Sequence, residues 1–161
     1  MRGGLPAPPR PLDQIDLSFP HAIRLMTTAR TASLIPQGLR DFRNAARVAV
    51  ATQTMGFRNQ TLVANPVCPL TSVQLTAGNC AVDHHHRAFD ELLFDFCQQH
   101  GVNPLLVHVG SMGGVRAVIS DAALSTQWQV YHEQHAQLRL VEKVANLKIP
   151  KVRVPWDTLP P

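Results

Sequence analysis

Proline placement sets the limits of regular structure in this chain. Four of its 13 prolines fall within residues 1–12 and four more within residues 150–161. Proline fixes φ and lacks an N–H, so it breaks helix interiors and is excluded from central strands. Residues 1–12, rich also in Gly and Arg, are therefore expected to form a flexible arm. The tail 150–161 is expected to be extended, with Trp156 pinning it to the body. Residues 13–149 remain for a single domain. The chain is 161 residues long and 45% apolar, enough for one core.

Inside these limits, Pro, Gly and apolar periodicity mark the elements. Residues 19–34 are ambiguous, with a short helix near His21–Thr28 as one option. Leu39, Phe42, Ala46, Ala49 and Val50 recur at helical spacing and predict a helix over 38–60. Pro66 and Pro69 break that pattern. Val73 and Leu75 alternate with polar residues, Ala77-Gly78-Asn79 can turn, and Cys80-Ala81-Val82 can return, which predicts a β-hairpin over 72–83. Phe89, Leu92, Leu93 and Phe96 form the buried stripe of a helix over 87–100, and Gly101 stops it. Leu105–Val109 reads as a short apolar strand and Gly110–Gly114 as a loop. No Gly or Pro interrupts residues 121–146, so one long helix is expected there, capped by Ser120 or Asp121.

Charge and cysteine usage narrow the function classes only a little. The formal net charge is +4, compatible with a polyanionic partner but too small to require one. Three cysteines, Cys68, Cys80 and Cys97, cannot all pair and form no CxxC, so reduced thiols in a cytoplasmic protein are expected. No apolar run approaches the ~20 residues of a membrane span. The first residues lack the apolar stretch of a secretory signal.

The chemistry-bearing residues concentrate in two places. Asp83 is followed at once by His84, His85 and His86, each able to bind a metal or move a proton near neutral pH. Strand alternation separates Asp83 and His85 from His84 and His86. If the strand ends at His84, a turn can bring Asp83 and His84 to one site, a metal-binding Asp beside a general-base His; the other reading of the run is a polar turn exposed to water. The second place is a polar stripe on the predicted long helix. Trp128, His132, His135, Arg139, Glu142 and Asn146 are separated by 4, 3, 4, 3 and 4 residues. The remaining histidines are less telling: His100 suits the end of a helix, His108 reads as a core residue, and His21 is uninformative.

In order and spacing, these pieces resemble the HNH, or ββα-metal, endonucleases. The matching residues are Cys68-Pro69-Leu70-Thr71, then Val82-Asp83-His84, then Leu138 to Lys148 around Asn146. A phage and bacterial group of unknown function, related to the plant DCL proteins, is similar in more detail. Its pattern runs C-P-x-T-G, V-D-H, F-x-x-L-x-x-F, Y-H-x-x-x-A-x-L-R and A-N-L. Here these are Val82-Asp83-His84, Phe89/Leu92/Phe96, Tyr131-His132/Ala136/Leu138-Arg139 and Ala145-Asn146-Leu147.

The resemblance implies an α+β fold, mainly helical, with a β-hairpin and helix forming a ββα-metal core within about 68–149. It implies hydrolysis of phosphodiester bonds in DNA, or RNA, inside a bacterial or phage-infected cell, by a monomer or homodimer. One divalent cation, Mg²⁺ or Mn²⁺, would be held by Asp83 and Asn146. His84 would be the general base, with His132 in an added catalytic role. Arg139 and Lys148 would steady phosphate oxygens. Arg43 and Arg47, on the 38–60 helix, would contact the nucleic acid or simply form a solvated face.

The pattern is not complete. Ser72 stands where Gly follows C-P-x-T, no CxxC pairs frame a structural zinc, and the middle Asn has no clear counterpart, with Gln137 near its place. Two other readings therefore remain open. One is a nucleic-acid-binding protein that keeps the HNH scaffold without turnover. The other is a zinc-binding structural protein using His84, His86 and Cys80 or Cys68.

Overall fold

The computed structural model describes residues 35–159, without the side chains of residues 112 and 115–117. The chain divides into two units, Met1–Ile35 and Pro36–Pro161. The expected arm at 1–12 and the optional helix near His21–Thr28 lie outside the described residues, as do Pro160 and Pro161. The second unit is a helix-rich α+β fold with two small antiparallel sheets.

Two helices, α1 (Gln37–Ala49) and α2 (Ala51–Val63), replace the single one expected over 38–60. They meet at Val50, which leaves helical geometry at φ −101° and ψ 7° and is itself buried. In α1, Leu39, Phe42, Ala45 and Ala46 face the core while Arg40, Arg43 and Arg47 are set apart from that stripe. In α2 no residue is fully buried.

Strand β1 (Cys80–His85) follows, but its partner is not the segment at 73–75. That segment forms only an isolated bridge, Val67 to Gln74, with Cys68 N–H donating to Val73 O at 2.8 Å. Asn79 closes the predicted turn by accepting the Thr76 N–H at 2.7 Å. Helix α3 (Phe89–His100) is as the sequence predicts. Glu91 accepts the Ala88 N–H at its start, and Gly101 ends it in the left-handed region at φ 64°.

Strands β2 (Val109–Met112) and β3 (Val115–Ile119) make a hairpin where a loop was expected. Gly113 and Gly114, at φ 61° and 82°, supply the two positive φ values that a tight hairpin turn requires. His108, expected in the core, is exposed and lies 3.1 Å from Ser120 Oγ.

The expected long helix over 121–146 is three elements. Helix α4 (Ala122–His135) starts at Asp121, whose carboxylate accepts the Ala123 and Leu124 N–H groups at 2.8 and 3.1 Å. Ala136 turns extended, and strand β4 (Gln137–Glu142) and helix α5 (Lys143–Lys148) follow. Tertiary pairing overrides helix propensity here. β4 is the antiparallel partner of β1, with Asp83 opposite Arg139 and His84 opposite Leu138. Helix α5 packs against both strands.

Two apolar clusters hold these elements. Phe42, Leu92, Leu93, Phe96, Trp128 and Tyr131 lie in the larger one, under the β2–β3 hairpin residues Val109 and Ile119. Trp128 is fully buried and donates its Nε1–H to Ala46 O at 2.9 Å, which joins α4 to α1. The smaller cluster, Cys68, Leu75, Cys80, Leu140 and Val141, sits at β1 and β4. All three cysteines are free and buried. The tail ends in a short turn, Trp156–Thr158, with Trp156 edge-on to Phe94 at 5.6 Å, the anchoring expected of it.

Candidate active site

Strand alternation decides what each residue of the Asp-His run can reach. β1 continues through His85, so Asp83 and His84 point to opposite sides. The turn comes one residue later. His86 takes φ 65°, and Arg87 N–H donates to His85 O at 2.8 Å. The His85 and His86 ring centres lie 3.7 Å apart, with the rings tilted by 42°.

His84 enters a half-buried cluster of aromatic and amide groups. Its ring meets Phe89 edge-on at 5.3 Å, and its Nε2 lies 2.9 Å from His132 Nε2. His132, on α4, is 1% exposed. Its Nδ1 lies 2.6 Å from Gln53 Oε1 on α2, and Gln53 Nε2 donates to Gln129 O at 2.9 Å. Burial lowers the His132 pKa to about 4, helped by the neighbouring His84. Burial also lowers the His84 pKa, opposed by Asp83 and reinforced by Arg47.

A cationic rim adjoins this cluster. The Arg47 guanidinium sits 4.5 Å from the centre of the Phe89 ring, on which His84 also rests. Arg43 and Arg47 share one carboxylate, Asp90, with Arg47 Nη2 to Oδ1 at 2.9 Å and Arg43 bound through both Nε and Nη2. Two guanidinium groups against one carboxylate leave net positive charge. Arg47 keeps 45% of its side chain exposed.

On the other face of β1, Arg139 Nε donates to Asp83 Oδ2 at 2.7 Å. Asn146 is half-buried on α5, and Lys148 ends that helix in the open beside a depression lined by Thr71, Glu142 and Ala145. The predicted polar stripe is thus dispersed. Trp128 and His132 share α4 and are buried, His135 is exposed, Arg139 and Glu142 lie on β4, and Asn146 lies on α5. Gln137, near the place of the missing Asn, is exposed opposite His85.

Sequence reasoning missed Gln53 and Asp90. A glutamine on a weakly amphipathic helix and an aspartate in the first turn of another look like ordinary solvated residues. Only long-range packing gives them partners, 79 and 47 residues away.

Asp83 and Asn146 carry oxygen donors, the type that a hard cation takes. A hard cation takes one or two protein oxygens and completes its shell with water and phosphate. Asp83 retains a second carboxylate oxygen, since Arg139 is its one hydrogen-bond partner among the described residues, and Asn146 offers an amide oxygen. The zinc donors are not gathered. Cys68 Sγ accepts the Glu142 N–H at 3.2 Å inside the core, and His84 is taken up with His132. Among the described residues no three of His, Cys, Asp and Glu are grouped to hold a metal.

Comparison with protein-family models, curated proteins and solved structures gives no match to this chain.

Proposed function

We propose that the chain is an HNH-like, metal-dependent endonuclease that hydrolyses phosphodiester bonds in DNA. The observation that carries this reading is the pairing of β1 with β4 and the direct continuation of β4 into α5. This reading takes Asp83-His84 near the end of one strand, its antiparallel partner and the helix bearing Asn146 as its ββα unit. The intervening α3, β2, β3 and α4 are an insertion between its strands.

In this reading each group takes the role that the resemblance implies. Asp83 and Asn146 would hold one Mg²⁺ or Mn²⁺, which when bound polarises the scissile phosphate and neutralises charge on the leaving oxygen. His84, kept neutral by burial, accepts a proton from the attacking water. The water oxygen forms the new P–O bond, and the leaving oxygen departs with the electron pair of the bond that breaks. Arg47, Arg43 and Lys148 supply positive charge for backbone phosphates. A single ββα unit cuts one strand, so a monomer nicks and a double-strand break needs a dimer.

Two observations favour a second reading, a DNA-binding protein on the same scaffold without turnover: Asp83 and His84 leave β1 on opposite sides, and the Asp83 carboxylate is already engaged. Arg139 already occupies one oxygen of Asp83. Supercoiled plasmid incubated after chelation and then with added Mg²⁺ or Mn²⁺ separates the two. Metal-dependent nicking that Asn146→Ala abolishes supports the nuclease; a gel shift without nicking supports the binding module.

A further inference from the structure

The hydrogen-bond directions around His84 can be assigned one after another. The Gln129 carbonyl oxygen can only accept, so the atom facing it at 2.9 Å is the Gln53 amide nitrogen. The Gln53 amide oxygen therefore faces His132. That oxygen also can only accept, so His132 Nδ1, at 2.6 Å, carries a proton. A neutral imidazole has one N–H, which leaves His132 Nε2 as a lone pair. His84 Nε2, 2.9 Å from it, must then be the donor.

We infer that Gln53 and His132 are positioning residues that hold His84 as the Nε2–H tautomer and leave its Nδ1 to accept the proton. The inference deepens the nuclease reading and rests on it for its catalytic meaning. His132 comes from α4 and Gln53 from α2, both outside the ββα unit, so the added helices have a task beyond packing. The device works without rearrangement. When His84 takes the water proton at Nδ1, its Nε2–H goes on donating to the His132 lone pair, which faces the new charge. The edge contact of His84 with Phe89 restrains the ring from the other side. A buried neutral His132 agrees with the environment that lowers its affinity for protons.

Tautomers are read directly by long-range ¹H–¹⁵N correlation spectra of the full chain at neutral pH. The expected result is His132 as Nδ1–H and His84 as Nε2–H. Gln53→Leu, shown folded by its circular dichroism, is expected to mix the tautomers of both rings. It should lower kcat for plasmid nicking by about tenfold or more while KM stays within about twofold. An Nδ1–H tautomer at His84 in the wild type overturns the inference, as does a folded Gln53→Leu with unchanged spectra and unchanged kcat. If Gln53→Leu does not fold, the wild-type spectrum decides. If the spectra match and the wild type does not nick DNA with Mg²⁺ or Mn²⁺, the nuclease reading fails while the hydrogen-bond order stands.

Discussion

Arg139 Nε lies 2.7 Å from Asp83 Oδ2, across the strand pair that joins two parts of the chain 56 residues apart. The contact is partly buried on both sides, at 24% and 14% exposure, so it locks register as well as balancing charge. It also sets up a competition, because the proposed cation needs the same carboxylate.

Arg139→Gln is therefore expected to act in opposite directions on two measurements. Removing the guanidinium should tighten Mn²⁺ binding in calorimetry, since Asp83 loses its competitor. Thermal unfolding without metal should show a loss of about 1 kcal/mol from the broken pair. Unchanged Mn²⁺ affinity would count against Asp83 as a ligand.

The pH dependence of stability follows from His132. Its pKa falls to about 4 in the fold, against about 6.5 when unfolded. Above the unfolded value both states are neutral and the fold keeps its full stability. As pH drops from there toward 4, the unfolded chain takes up a proton that the folded one refuses, so stability declines. The loss amounts to about 3 kcal/mol at the low end. His84, also lowered, adds in the same direction. Urea unfolding of wild type and His132→Gln across this range should give a shallower decline for the variant.

Arg47→Ala tests the cationic rim. The side chain is 45% exposed and Arg43 remains paired with Asp90, so stability should fall by no more than about 1 kcal/mol. Affinity for DNA should fall by a similar factor for all sequences, and the slope of log K against log salt should shrink by about one. A sequence-dependent effect would assign Arg47 to base contact instead.

Trp128→Phe tests how α4 is fixed to α1. The substitution removes the indole N–H that satisfies Ala46 O in a fully buried place. An unsatisfied buried carbonyl costs about 1–3 kcal/mol, and the smaller ring adds a cavity. Denaturant unfolding should show at least that loss, with His132 displaced from His84 in the same variant.

Legibility in the sequence follows the range of the interactions. Helix α3 is written locally in Phe89, Leu92, Leu93, Phe96 and Gly101, and the structure follows it closely. Asp83 and His84 stand out because an acid next to three imidazoles is rare and chemically useful. Strand β4 is hidden, because Leu138 to Val141 suits either periodicity and nothing breaks the helical pattern before it. Pairing with β1, far away in sequence, decides the outcome. The same is true of Gln53, whose role exists only once α2 and α4 are side by side. The β2–β3 hairpin was within reach, since Gly113-Gly114 between apolar flanks is a turn signal.

The rate of plasmid nicking by wild type and His84→Ala, at saturating Mn²⁺ and matched DNA binding, bears most directly on the proposed chemistry. Loss of the general base should lower the rate by about 10²- to 10⁴-fold with binding retained. Equal rates for the two proteins, or no metal-dependent nicking by the wild type, would contradict a nuclease centred on His84.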